Sequence, residues 1–335
     1  MKVLITGGAG YIGSTISSAL LDQGHTPIIL DSLIRGRSEF VHDRIFYQGD
    51  IADQDLIKRI FAEHPDIYAT IHCAALILVP ESTENPLGYY RANVQKSLDL
   101  FDALMQVGCN RVIFSSTASL YDAVEGFSVD ESSPLKPSSP YSRTKLCMEL
   151  ALEDFARAYD FRAITLRYFN PIGADPKLRS GQQLERVSHA LDKIIEAHTL
   201  GETFFITGTD WPTRDGSGIR DYIHVWDLAK AHIRAVLEFD RVFSECTTEK
   251  YRVYNLGTGN GTTVFELVQA FENVIGHPIK KQLAPPRSGD VAGAYPNPHR
   301  ANTELGWYPE SSLETAIELA LQWFEKRKTF LGLSF

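Results

Sequence analysis

Met1-Lys2-Val3-Leu4-Ile5-Thr6-Gly7-Gly8-Ala9-Gly10-Tyr11-Ile12-Gly13 begins the chain. The first six residues read as a buried strand, and the glycines after it as a tight turn opening a helix. Gly7 takes the dihedrals that turn the chain, Gly10 lets backbone amides approach a pyrophosphate with no Cβ in the way, and Gly13 lets helix and strand pack closely. Amides and partial positive charge at the helix N-terminus then face the phosphates. Glycines at this spacing also serve purely conformational ends, so the neighbouring strand decides. Thr26-Pro27-Ile28-Ile29-Leu30-Asp31 closes on an acid at the separation expected for a residue that holds adenosine ribose hydroxyls. A bound dinucleotide is predicted. Asp31 favours NAD, because a carboxylate there accepts from the 2′-hydroxyl and repels the extra phosphate of NADP. Arg35 and Arg37, in the next loop, are the residues that would pair with that phosphate if the acid swung away.

Outward from this turn, short β-branched runs alternate with helical stretches as far as about Phe169. The strands are expected at 2–6, 26–31, 45–48, 69–73, 110–116 and 162–168, with helices over 53–61, 89–107 and 140–159. The fold class implied is α/β, a doubly wound parallel (Rossmann) sheet with a second, smaller α/β substrate domain. Residues 1–170 form the NAD-binding domain in this reading and 171–335 the smaller one, with helices at 184–199, 227–238, 263–274 and 313–326. The segment around 221–256 is the soft point of that boundary, because the short strand Tyr251 to Leu256 is able to return to the first domain.

The bulk numbers exclude several classes. With 335 residues, 44% apolar and 22% charged, the chain is long enough for two lobes and has no disordered composition. A net charge of −9 argues against a nucleic-acid or anionic-membrane surface, since phosphate-rich partners need a basic footprint. No apolar run approaches a membrane span, and no basic stretch precedes the first strand as in a signal peptide. Cys73, Cys109, Cys147 and Cys246 are scattered without metal-ligand spacing, so no metal is expected, and reduced thiols fit a cytoplasmic protein.

The chemistry lies near the middle. Tyr141 and Lys145 follow Ser139-Pro140, a helix start with serine as N-cap, and four residues apart they share one helix face. A tyrosine with its ordinary pKa of about 10 is a poor base, and lowering it by about three units takes roughly 4 kcal/mol. One cation about 4 Å away at an effective dielectric near 20 supplies on the order of 4 kcal/mol, so Lys145 and an oxidised nicotinamide ring suffice together. The plain alternative is a surface Tyr and Lys on an amphipathic helix. Against it stands Phe114-Ser115-Ser116-Thr117-Ala118-Ser119 where the fifth strand leaves the sheet, one of whose hydroxyls is predicted to bond the reacting substrate oxygen.

Together the glycine turn, the Ser-Ser-Thr strand end and Tyr141-(x)3-Lys145 resemble the extended short-chain dehydrogenase/reductase superfamily. Arg167-Tyr168-Phe169-Asn170-Pro171, Thr209-Asp210-Trp211-Pro212-Thr213-Arg214-Asp215-Gly216, Arg220-Asp221-Tyr222-Ile223-His224-Val225 and Arg287-Ser288-Gly289-Asp290 narrow the resemblance to its nucleotide-sugar epimerases. It runs from Met1 to about Trp323. The resemblance implies Tyr141 as base, Lys145 as its tuner and ribose ligand, and Thr117 as the hydroxyl helper. It implies cofactor contacts at Gly7, Gly10, Tyr11, Ile12, Gly13, Asp31, Asp50, Ile51, Ala74, Ala75, Asn93, Ser115, Tyr141, Lys145 and Tyr168. For the nucleotide-sugar it implies Thr117, Asn170, His189, Arg220, Arg287, Asp290 and Ala294, the arginines suiting a diphosphate through their planar fork. An internal Arg220–Asp221 salt bridge is the plain alternative for that pair. The expected partners are a UDP-sugar and a second copy of the chain, in a homodimer.

The activity implied is NAD-dependent 4-epimerisation of a UDP-hexose of the UDP-glucose/UDP-galactose type through a transient 4-keto sugar. Ile77 stands where the pattern often has a lysine, Asp122 where glycine is usual, and Asn297 where an acid is expected. Ala294 falls near the position that lines the sugar end, where a small side chain leaves room for an N-acetyl or altered sugar. Alternatives are thus an epimerase for a UDP-N-acetylhexosamine, uronate or pentose, a nucleotide-sugar oxidoreductase, and a non-catalytic dinucleotide-sensing protein. A 4,6-dehydratase needs an acid and a base after the strand-five Thr, and Ala118 and Ser119 supply neither.

Overall fold

The computed structural model describes residues 1–122, 124–185, 189–245, 249–286 and 291–333. Seven parallel strands form its central sheet, in the spatial order Tyr251–Leu256, Arg162–Tyr168, Arg111–Ser115, Ile67–His72, Lys2–Thr6, Thr26–Asp31, Ile45–Gln48. The order reverses at Lys2–Thr6, which lies between the second and fourth strands in the chain. A crevice opens at such a reversal, beyond the carboxyl ends of the strands. The glycine turn leaves the sheet at that point.

Apolar side chains cover both faces. Val3, Ile5, Ile71 and Ile164 pack toward the Tyr11–Asp22 and Val225–Leu237 helices. Leu4, Ile28, Val112 and Phe114 pack toward Gln54–Glu63, Lys96–Gln106 and Pro140–Ala158. Both faces being buried explains strands that are apolar throughout rather than alternating. A third core joins Ala190–Leu200, Val264–Ile275 and Leu313–Phe330, with Trp323 against Phe40, ring centroids 5.8 Å apart.

The expected boundary is crossed twice. Tyr251–Leu256 pairs in full register with Arg162–Tyr168, and the Val225–Leu237 helix packs on Tyr11–Asp22 beneath the large sheet. The rest of the soft segment differs: Tyr222–His224 pairs with Asn170–Ile172 in a separate two-stranded sheet.

Two helices depart from expectation. The stretch predicted as one helix over 89–107 is divided into Pro86–Tyr90, a π-helical turn at Arg91–Gln95, and Lys96–Gln106. The wider turn accompanies Asn93, whose side chain is drawn off to Leu76. The helix predicted from Leu184 starts only at Ala190. Gln182 and Leu184 lie outside any helix, their carbonyls accepting from the Trp323 indole and the Arg327 guanidinium. Among the described residues no helix is long and apolar enough to cross a membrane.

Candidate active site

The glycine turn is shaped as its sequence requires. Gly7 has φ +71°, and a Cβ on it would lie 2.6 Å from the Ala74 nitrogen; on Gly13 it would lie 2.3 Å from the Gly7 carbonyl oxygen. At Gly10 the nearest atoms would be 3.4 and 3.9 Å away, so what a side chain would fill there is the cleft itself. No side chain caps the Tyr11–Asp22 helix and no acid stands in its first turn, which leaves its amides and positive end for an anion. The Tyr11 hydroxyl donates to the Gly173 carbonyl at 2.6 Å and ties this helix to the second lobe.

Gly7, Gly10, Tyr11, Ile12, Gly13, Asp31, Asp50, Ile51, Ala74, Ala75, Tyr141, Lys145, Tyr168 and His189 all line one cleft. Asp31 is buried, accepting from the amides of Ala9 at 3.0 Å and Leu33 at 2.8 Å, and burial pushes its pKa up. Asp50 is ion-paired with Lys96, a cleft residue whose sequence context carries no signal. Asn93 and Ser115 stand one layer behind. The Asn93 amide is spent on the Leu76 backbone, at 2.8 and 2.9 Å, and on Thr144, so it reaches the cleft only by holding the Leu76 loop. Cleft, acid and open glycine cradle fit a dinucleotide.

At the cleft's inner end stands the tyrosine. Ser139 caps its helix with Pro140 at the first turn, as expected from sequence, and the cap is a reciprocal box with Ser142. Tyr141 lies near Thr117, which caps the short turn Ala118–Leu120. Burial pushes Tyr141 up to about 12, and Thr117 alone opposes it. Lys145 is buried, donates to the Ser115 carbonyl at 2.7 Å and lies over the Phe114 ring; burial pulls it down to about 8. The expectation of a tyrosine starting from 10 is therefore corrected. Reaching neutrality from 12 takes roughly 7 kcal/mol, and the Lys145 ammonium is bonded to the strand end, at the Ser115 carbonyl. Behind Thr117, the Arg167 guanidinium and Ser116 hydroxyl converge on the buried Glu149 carboxylate.

The second-lobe residues are arranged otherwise. Asn170 starts the strand paired with Tyr222–His224, its amide donating to the Asp221 carbonyl at 3.0 Å. The Arg220–Asp221 salt bridge offered as an alternative does not form. Asp221 accepts from Thr258 at 2.7 and 2.8 Å and from Gly259 at 2.9 Å, while Arg220 donates to the carbonyls of Ile219, Ala292 and Val291. Ala294, half-buried, follows the 291–292 segment that Arg220 binds. Arg287 and Asp290 lie outside the described residues.

Sequence reasoning missed an ion pair, Arg35 to Glu81 at 2.5 Å, between two walls of the cleft, and the Gln182–Gln183–Leu184 strap along it. Cys73 is also there, and its place just before Ala74-Ala75 was a usable signal. Ile77, half exposed, lines the cleft as an apolar residue. A second hollow lies outside Tyr251–Leu256, but its Arg157, Arg167 and Arg252 are each paired with a carboxylate.

A family model described as the NAD dependent epimerase/dehydratase family matches residues 3–257. The chain is 41% identical over 329 residues to the UDP-glucose 4-epimerase of Halalkalibacterium halodurans, spanning 97% of this chain and 96% of that one. The crystal structure of UDP-glucose-4-epimerase from Stenotrophomonas maltophila, with bound NAD and formylated UDP-arabinopyranose, is similar at a TM-score of 0.92 and 35% identity, over 98% of this chain and 99% of that one. The enzyme of Bifidobacterium longum, in complex with NAD+ and UDP, has a TM-score of 0.87 at 33% identity, over 98% of this chain and 100% of that one. By sequence along almost its whole length and by the shape of its sheet and cleft, the chain belongs to the NAD dependent epimerase/dehydratase family.

Proposed function

We propose that the chain is an NAD-dependent 4-epimerase of a UDP-hexose of the UDP-glucose/UDP-galactose type, working through a transient 4-keto sugar. The observation that carries this reading is the half-buried Tyr141, with Lys145 one turn on along its helix, in the cleft that the glycine turn and Asp31 open.

The glycine-turn amides hold the pyrophosphate and Asp31 the adenosine ribose. Asp50, Ile51, Ala74, Ala75 and Tyr168 line the remainder, with Lys145 at the second ribose. When bound, NAD supplies a two-electron acceptor for C4 of the sugar, returns the pair, and brings a positive ring. Tyr141 takes the proton of the 4-hydroxyl and gives it back on the other face, while Thr117 bonds the same oxygen. The positive charge of Lys145, joined by that of the ring when NAD is bound, would lower the tyrosine from about 12. Between the two transfers the ketose must turn over while its nucleotide stays fixed. That anchoring falls to Asn170, His189, Arg220, Arg287 and Asp290, with Ala294 beside the sugar.

In this reading residues 1–170 serve the cofactor and 171–335 the nucleotide-sugar, and the protein works as a cytoplasmic homodimer. Incubation with UDP-galactose, UDP-N-acetylgalactosamine and UDP-galacturonate, with products separated by chromatography, tests the proposal. Conversion of UDP-galactose to UDP-glucose without net change in NADH is expected. Conversion of only another sugar moves the specificity to it, and steady consumption of added NADH makes the protein a reductase.

A further inference from the structure

We propose that Gln183 binds the diphosphate of the cofactor, its side-chain nitrogen donating to a phosphate oxygen beside Gly10, so that a residue of the second lobe completes the glycine cradle. Gln182 and Gln183 on the strap are equally buried, each 8% exposed, and differ in what their amides do. Gln182 is satisfied at both ends: its Nε2 donates to the Asp192 carboxylate at 3.3 Å and its Oε1 accepts from the Leu184 amide at 3.1 Å. Gln183 is satisfied at neither. Its Oε1 is buried with no hydrogen-bond partner, and its Nε2 donates to none of the described residues. Leaving a buried amide unbonded costs stability, and folded interiors rarely keep one without a use for it.

The strap itself has no need of a glutamine there. Its backbone holds it: the carbonyl of Gln182 accepts from Trp323 Nε1 at 2.9 Å, that of Gln183 from Arg37 Nη2 at 3.4 Å and that of Leu184 from Arg327 Nη1 at 3.1 Å. What the side chain reaches instead is the cradle. A Cβ on Gly10 would lie 3.9 Å from Gln183 Nε2, so that nitrogen borders the open space beside Gly10, and both residues line the cleft. A diphosphate offers only acceptors, so the amide end turned toward it has to be the donor, and the nitrogen is the end found there. The uncapped Tyr11–Asp22 helix contributes amides and partial positive charge from the first lobe, and Gln183 adds a neutral donor from the second. The cofactor is thus clasped from both lobes.

This rests on the reading of the Gly10 cradle as the diphosphate site, and its test keeps the two apart. Gln183→Leu removes the amide at similar size, and Gln183→Glu puts a carboxylate in its place. Each is titrated calorimetrically with NAD and with ADP-ribose, which has the diphosphate without the nicotinamide. Gln183→Leu is expected to weaken both ligands by about tenfold, the effect of one hydrogen bond to a charged oxygen, and Gln183→Glu by about a hundredfold or more through repulsion. Because leucine replaces an unbonded amide, the melting temperature of Gln183→Leu measured before NAD is added should be unchanged or higher. NAD affinity within about twofold of wild type in Gln183→Leu, a loss for NAD that ADP-ribose does not share, or a Gln183→Glu protein that binds as well as wild type, each overturns the proposal. So does a Gln183→Leu protein that melts lower or fails to fold without NAD, since the amide then serves the fold. Failure of the cradle reading shows differently, as NAD binding unaltered in Gly10→Ala.

Discussion

Glu149 receives Arg167 through two nitrogens, Nε at 3.1 Å and Nη2 at 2.6 Å, with both side chains at most 5% exposed. A buried pair of this kind is costly to break on one side, because the partner keeps its charge without compensation. Glu149→Ala is expected to lower the unfolding free energy by about 3–5 kcal/mol. Denaturant titration measures it, and a loss below about 1 kcal/mol, the range of exposed pairs, contradicts the structural role.

The glycine turn separates shape from space. Gly13→Ala drives a methyl to 2.3 Å from a carbonyl oxygen and should destabilise the fold, while Gly10→Ala meets nothing closer than 3.4 Å and should leave the melting temperature nearly unchanged. Calorimetric titration with NAD is expected to show Gly10→Ala losing about tenfold or more in affinity, or about 1.4 kcal/mol. Unaltered NAD binding in that variant removes the phosphate cradle from Gly10.

Tyr141→Phe keeps the ring and loses the hydroxyl proposed as the acid–base group. Turnover should fall by about 10²–10⁴-fold, the usual contribution of a positioned base, with NAD affinity within a few-fold of wild type. Single-turnover kinetics with UDP-galactose and fluorescence titration with NAD check the two halves separately.

The proposed reading of cofactor choice rests on the Asp31 carboxylate, which two amides hold in place. NAD should bind at least about tenfold more tightly than NADP, and Asp31→Ser should narrow the ratio by a similar factor. Glu81→Gln added to Asp31→Ser releases Arg35 from its ion pair and should carry the preference further toward NADP. Equal binding of both dinucleotides by the unaltered protein refutes the reading of Asp31.

Three buried histidines make stability fall in acid. Burial holds His72 down to about 3 and His224 and His232 down to about 4, from an unfolded value near 6.5. The unfolded chain binds more protons between those values, so their contribution is whole above about pH 6.5 and is lost as pH falls toward 4. Each contributes a slope of up to about 1.4 kcal/mol per pH unit in that window. Unfolding free energies measured at pH 7 and pH 5 should differ accordingly, and His72→Gln should flatten the slope.

Where an element's reasons are local, its sequence shows them. Ser139-Pro140 announces a capped helix because both groups act within one turn of themselves, and apolar runs closed by Gly7 and Asp31 mark strands ending at a binding rim. The residues that escaped are held from afar. Gln182 and Leu184 are kept out of a helix by Trp323 and Arg327, 141 and 143 residues further on, and no local pattern records that. The Arg35–Glu81 and Lys96–Asp50 pairs likewise join residues 46 apart. Tyr141 and Lys145 were found from their spacing, but the burial of Lys145 and half-burial of Tyr141, which push the tyrosine up, come from packing that the spacing does not contain.

The chain passes from the first lobe to the second at Asn170 and comes back with Val225–Leu237 and Tyr251–Leu256. Severing the gene at that crossing would leave an N-terminal product short of its outermost strand and of the helix roofing one side. The complementary fragment would carry those pieces with nothing to dock on. The halves are thus stitched rather than hinged: recombination cannot exchange them as independent cassettes, and any change in sugar preference has to arise by substitution within one indivisible body.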